Sequence, residues 1–154
     1  MKKSVLILLT LVPVIVGYLV NVLIMVPVIG MAGFYLLPLL TTAFWFYLGK
    51  QYAHRWKPVP AVLIAHTAGI CSLLIYLWQF LIETDETRSW TLAGFSQMFS
   101  ASTPLYLFGR IARLAESHPN YVGRASMVAM QVIALVYMTI VFCIGIYWEK
   151  KRKF

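Results

Sequence analysis

One hydrophobic run dominates the chain. Ser4 to Gly49 is 46 residues without a Lys, Arg, Asp, Glu or His. As a single helix it would be about 69 Å long at ~1.5 Å per residue, whereas the hydrocarbon core of a bilayer is ~30 Å thick. The run therefore predicts two spans, with Pro27-Val28-Ile29-Gly30-Met31-Ala32-Gly33 as the turn between them. Pro27 stops the first helix, and Gly30 and Gly33 give backbone freedom and are expected to be tightly constrained, with a substitution there harmful if a positive backbone angle is used. The turn carries no polar side chain, so it is expected to be buried at the interface or covered by another segment.

The first helix is expected over about 4–26. A basic start followed by an apolar run also opens signal peptides. Here the run continues past Val20 without a small-x-small site, which predicts a helix that stays attached. Pro13 predicts a kink. Asn21 is the helix's strongest polar group and is expected to hydrogen-bond a neighbouring helix. The second helix, about 34–50, contains Pro38 and ends in Phe44-Trp45-Phe46-Tyr47, read as an aromatic belt. A basic loop follows to Lys57, and Pro58 and Pro60 open a third helix over about 60–82. Ala61, Ala65 and Gly69, four apart, share one face and predict a close helix approach, within the chain before between copies. His66 is the one ionisable residue inside any span, so it is a candidate functional residue; a packing or hydrogen-bonding role is its simpler reading. Tyr76, Trp78 and Phe80 form the outer belt, ahead of Glu83, Asp85 and Glu86.

The pattern changes over 83–123. Leu92, Phe95, Met98 and Phe99 fall on one helical face, with Ser96, Gln97 and Ser100 opposite, which predicts a helix over about 89–102. Thr103-Pro104 reads as an N-cap with Pro at the first helical position of a second helix, about 104–117. Its apolar stripe is Leu107, Phe108, Ile111, Leu114 and Ala115. Its polar stripe is Arg110, Arg113, Glu116 and Ser117, and His118-Pro119-Asn120 ends it. Such a pair lies on the membrane, caps the bundle, or dips in as a re-entrant hairpin covered by protein. A fourth span, about 124–148, holds Ala125 and Ala129 as small residues, Gln131 as its polar group, and an inner belt at Tyr147 and Trp148. The predicted fold class is thus an all-α polytopic membrane protein. It has four transmembrane helices in a single domain and an extracytoplasmic amphipathic helical segment between helices 3 and 4.

Composition sharpens this picture. Of the 154 residues, 61% are apolar and 12% charged, against about 25% charged in soluble domains. The net charge of +8 suggests nucleic acid at first sight. However, the cations gather at span ends, at Lys2 and Lys3, at Lys50, Arg55 and Lys57, and at Lys150 to Lys153. That is the positive-inside pattern, so no nucleic-acid partner is expected. It places both termini in the cytoplasm of a multi-pass cell-membrane protein. A five-span alternative with 93–112 crossing would put Lys150 to Lys153 outside, against the rule. Cys71 and Cys143 lie in apolar runs, form no C-x-x-C pair, and read as small hydrophobes.

Chemistry is sparse. The spans lack Asp, Glu, Lys and Arg, and the chain has no nucleophile elbow, zinc-protease motif or phosphate-binding glycine loop. No enzyme activity, cofactor or metal is expected. A metal site from His118 with the acids at 83–86 has no supporting spacing. The expected function is that of a small non-enzymatic integral membrane protein. It would be an accessory, regulatory or self-protection (immunity-like) protein acting through its outer loop. The alternative is an oligomeric transporter or channel module for a small molecule. Expected partners are the lipid bilayer and either a membrane protein or further copies of the chain. Candidate functional residues are His66, Arg110, Arg113, Asn21 and Gln131.

Overall fold

A computed structural model describes residues 2–116 and 123–152. Every regular element among them is helical: α1 (Lys3–Leu9), α2 (Val12–Leu23), α3 (Ile29–Ala53), α4 (Pro58–Leu77), α5 (Trp90–Phe95), α6 (Met98–Ala101), α7 (Leu105–Ala112) and α8 (Arg124–Lys151). A π-helical turn, Trp78–Ile82, extends α4, and a 3-10 turn, Arg113–Ala115, extends α7. Four segments are long and apolar enough to cross a membrane: Lys3–Leu23, Ile29–Ala53, Pro58–Ile82 and Arg124–Lys151. The second runs several residues beyond the expected 34–50 at both ends.

The expected kink at Pro13 is a full break. Pro13 has no N–H to bond residue 9, and its ring crowds the preceding turn. The chain steps through Thr10 and Leu11, whose N–H groups bond three residues back to Ile7 and Leu8 at 3.1 Å each. The Thr10 hydroxyl donates to the Ile7 carbonyl at 2.7 Å.

The turn between α2 and α3 differs from expectation. No glycine has a positive φ; Val28 does, at φ 66° and ψ −59°. Ile29 N–H bonds the Pro27 carbonyl at 2.7 Å, so Val28 is the centre of a γ-turn of the rarer positive-φ kind. That is a strained place for a β-branched residue. Gly30 is constrained by contact instead, because a Cβ there would fall 2.2 Å from the Leu23 carbonyl oxygen. Gly33 has ordinary clearance, with Leu23 Cδ1 at 3.4 Å. The turn is also uncovered, since Met25 and Val28 are exposed.

The most extensive seam joins α3 and α8. A Cβ on Gly49 would sit 2.4 Å from the Phe142 carbonyl oxygen, and one on Gly145 would sit 2.3 Å from that of Phe46. Only residues without side chains let two backbones meet this closely. This pair went unremarked in the sequence, where Ala125 and Ala129 were the small residues expected to pack. Ala125 is exposed and Ala129 only half-buried. On α4, Ala61 and Ala65 are fully buried as expected, and Gly69 receives the Phe99 ring. Trp45, expected in a belt, is instead fully buried in a core with Leu6, Leu48, Tyr52, Phe99, Met138 and Phe142. Cys71 and Cys143 are free and exposed, not buried.

The segment between α4 and α8 is lodged in the bundle. The expected helix over 89–102 is two short pieces, broken at Ser96 and Gln97. A Cβ on Gly17 of α2 would fall 1.6 Å from the Met98 carbonyl oxygen, so α6 lies backbone to backbone on α2. Phe99 reaches the core, 6.3 Å from Trp45 between ring centroids. The expected polarity is partly inverted: Ser96 and Ser100 are buried with Phe99, Gln97 and Met98 are half-buried, and Leu92 and Phe95 are exposed; Ser102 and Thr103 are buried as well. Each buried hydroxyl donates to a carbonyl three residues back: Ser96 to Ala93, Ser100 to Gln97, Ser102 to Phe99 and Thr103 to Ser100. Short helices leave carbonyls without intrahelical partners, and away from water these must be satisfied internally. Thr103 is therefore a back-bonding residue and not the N-cap of α7.

Charge divides between the two ends. Lys3 Nζ lies 5.6 Å above the Trp56 ring, and His54 Nε2 is 3.2 Å from Glu149 Oε1. That end carries eight described cations (Lys2, Lys3, Lys50, Arg55, Lys57, Lys150, Lys151 and Arg152) and one acid, Glu149. The other end carries four of each: Arg88, Arg110, Arg113 and Arg124 with Glu83, Asp85, Glu86 and Glu116.

Candidate functional site

The five candidate residues do not converge. His66 belongs to the core and is 2% exposed. Trp45 Nε1–H donates to His66 Nε2 at 3.3 Å, so Nε2 is an acceptor. His66 Nδ1 lies 2.9 Å from the Val62 carbonyl and must donate to it. Both ring nitrogens are thereby used in a neutral imidazole of defined tautomer. Trp45 and Phe142 stand edge-on to the ring, at 5.5 and 5.3 Å. Among the described residues no acid or base is bonded to it, and the arrangement ties α3 to α4. Asn21 is exposed on α2, contrary to the expected helix–helix hydrogen bond, and makes no side-chain hydrogen bond among the described residues. Gln131 is buried on α8. No hydrogen bond or ring contact among the described residues joins these three to Arg110 or Arg113.

Arg110 and Arg113 do share a site. Helix α7 is fixed by Phe108 and Ala112, both buried. Phe108 packs on Tyr137 of α8 at 5.1 Å, and Ser126 Oγ donates to the Ala112 carbonyl at 3.1 Å. With those positions turned inward, helical geometry sends Tyr106, Arg110 and Arg113 to the open side. They line a groove of about 490 Å³ between α7 and α8, completed by Leu105, Gly109, Ser126 and Met130. The Tyr106 ring is held at 5.0 Å from Tyr35 and 5.9 Å from Phe34, both on α3. Leu107, Ile111 and Leu114, expected with Phe108 on one apolar stripe, are exposed on another side of α7. The expected helix over 104–117 runs only from Leu105 to Ala112, with the 3-10 turn beyond it. His118, Pro119 and Asn120 lie outside the described residues.

Neither arginine is paired with a carboxylate among the described residues, in contrast to Arg88. Arg88 bonds Asp85 at 2.7 Å and the Gln79 carbonyl at 2.9 Å, and lies over the Phe80 ring at 4.8 Å. Glu116, the nearest acid in sequence, is committed elsewhere. Its Oε1 accepts the N–H groups of Gly123 and Ser126, each at 2.9 Å, at the start of α8. Those bonds, that from Ser126 first, hold its carboxyl below the usual range. They satisfy donors that have no partner within the helix.

Sequence reasoning put Glu116 on a solvated stripe and missed this clamp. It also missed Gln79, which sits in the π turn with Oε1 accepting Ser89 N–H at 2.8 Å. A polar residue flanked by Trp78 and Phe80 was the available signal. Among the described residues no group of three or more His, Cys, Asp or Glu could hold a metal ion. Comparison with known proteins finds no family model, no curated protein and no solved structure that matches the chain.

Proposed function

We propose that the protein is a non-enzymatic integral membrane protein that binds a partner through the segment between α4 and α8. It acts as an accessory, regulatory or self-protection subunit of the cell membrane. In this reading both termini are cytoplasmic, because the end with eight cations and one acid is the one that the positive-inside rule keeps in the cytoplasm. The opposite end, with Arg110 and Arg113, is then extracytoplasmic, and the exposed Leu40, Leu63, Leu74 and Ile140 meet lipid.

The observation that carries the reading is the contrast between a filled interior and an open, cationic α7–α8 groove. Trp45, Phe99, Met138 and Phe142 occupy the core, and His66 there has no unused hydrogen-bonding nitrogen. The alternative, an oligomeric transporter or channel module, would have to build its pore between copies.

Site-specific photocrosslinking tests the reading. A crosslinker at Leu107 or Leu114 is expected to trap a discrete partner, and one at Ile140 is expected to trap lipid alone. Equal protein adducts from both faces, or adducts only between copies of the chain, would turn the argument toward the oligomeric alternative. A reporter enzyme fused at Phe154 tests the orientation; activity confined to the outside would reverse it.

A further inference from the structure

We infer that the groove between α7 and α8 is a binding site for a phosphate-bearing anion, held by Arg110 and Arg113. The inference rests on the partner-binding reading of this segment and names the ligand chemistry of its groove.

Four observations converge. Arg110 and Arg113 are one helical turn apart and both line the groove, so two planar forks are within reach of one ligand. A tetrahedral phosphoryl group has enough oxygens to engage both forks, which suits arginine better than a single carboxylate does. Both arginines are exposed and lack a carboxylate partner among the described residues, while Arg88 at the same end is fully engaged. The Glu116 carboxylate bonds the Gly123 and Ser126 N–H groups and neither arginine. Finally, the rest of the groove is mostly apolar. Leu105, Gly109, Met130 and the Tyr106 ring line it together with one hydroxyl residue, Ser126, and Met130 Sδ stands 3.8 Å from where a Gly109 Cβ would be. A charged head with an adjoining hydrocarbon portion matches that lining.

Two sources of the phosphoryl group share this chemistry, an anionic lipid headgroup and a soluble phosphate. The test melts the purified full chain in neutral detergent while titrating phosphatidylglycerol, zwitterionic phosphatidylcholine or inorganic phosphate. Wild type is compared with R110Q/R113Q. Phosphatidylglycerol is expected to raise the wild-type melting temperature at concentrations where phosphatidylcholine does not. The double variant should need roughly tenfold more, the loss expected from removing charge-assisted hydrogen bonds. The same wild-type-selective shift with inorganic phosphate supports the site and assigns it to a soluble ligand.

An equal shift in both proteins overturns the inference, because the lipid then acts elsewhere, as at the basic end near Lys151 and Arg152. No shift in either protein overturns it as well. Since both side chains are exposed, the double variant should melt normally without ligand; should it not, Arg113→Gln alone replaces it, with the same criteria. Crosslinking from Leu107 and Leu114 is read independently. A lost anion effect with retained partner adducts removes this inference only, and the converse removes the partner reading only.

Discussion

The α3–α8 seam and the inner face of the inserted stretch from Trp90 to Thr103 are both buried, yet they are held by different means. The seam is two long helices whose backbone groups bond within each helix. Gly49 and Gly145 bring the axes together, and the side-chain hydrogen bond between the helices, Tyr137 Oη to Thr42 Oγ1 at 3.1 Å, leaves their backbones unaided. The inserted stretch has helices of six and four residues, too short to satisfy their own ends. It enlists Ser96, Ser100, Ser102 and Thr103 to cover its carbonyls, and Ser72 of α4 donates to the Ser96 carbonyl at 2.7 Å. Regular backbone leaves side chains free to be small or apolar. Broken backbone at the same depth requires hydroxyls, and a single aromatic, Phe99, fixes the whole piece to the core.

The largest expected effect removes that anchor. Phe99 touches Gly69 and stands beside Trp45, and it is 3% exposed. Phe99→Ala should cost about 3–5 kcal/mol, the usual range for truncating a buried aromatic. Thermal melting with hydrogen exchange reads both size and place. The first amides to lose protection should be those of 90–103. Uniform loss across α3 and α8 would mean that seam and insertion are one cooperative structure, and the contrast drawn above would fail.

Next come the glycines. Gly145→Ala puts a methyl 2.3 Å from the Phe46 carbonyl oxygen, and Gly17→Ala puts one 1.6 Å from that of Met98. Neither obstacle is a flexible side-chain tip, so each should cost about 3 kcal/mol, the upper range for overpacking. Their signatures should differ. Gly145→Ala parts α3 from α8 and lowers folded yield, while Gly17→Ala ejects the inserted stretch and makes it protease-sensitive with the seam intact. Interchangeable phenotypes would count against the division.

What was legible in the sequence follows the same line. Long uninterrupted apolar runs located all four candidate spans, because hydropathy and length are the constraints on such helices. Pro13 marked its break, and the Ala61–Ala65–Gly69 face marked a buried one. The inserted stretch was read with the rule for water-facing helices, polar out and apolar in. A segment lodged among helices whose outsides are apolar reverses that rule, so Ser96 and Ser100 were assigned the wrong side. Trp45 was read as a belt residue because aromatics near a span end usually are. Arg110 and Arg113 were legible as a pair from their spacing, whereas their groove depends on how α7 rolls against α8. The turn misled for a different reason. Glycine is the usual owner of positive φ, and nothing in Pro27-Val28-Ile29 announces that a valine takes it.

That strain gives a smaller prediction, outside both buried regions. Val28→Gly removes a penalty of order 1–3 kcal/mol for a strained backbone and adds about 0.5–1 kcal/mol of unfolded-state entropy. The valine side chain is exposed, so little packing is lost. The balance is a stabilisation of about 1 kcal/mol, read as a higher melting temperature. A lower one would show that the side chain contributes more than its exposure implies.

The smallest effect lies beyond α7, where Glu116 closes the start of α8. Hydrogen bonds from Ser126 and Gly123 keep its carboxyl below the ordinary 4.5, so the folded state holds the carboxylate more strongly than the unfolded chain does. A depressed folded value means stabilisation that is complete above the ordinary value and lost as pH falls through the lowered one. The difference in melting temperature between wild type and Glu116→Gln isolates this group, since every other carboxylate titrates in both proteins. Wild type should be modestly the more stable at pH 7, and the gap should close only below about pH 4.5. A gap that stays constant to pH 3 would show that the side chain's shape matters and its charge does not. A gap that closes would place a titrating clamp at the start of the long helix of the seam.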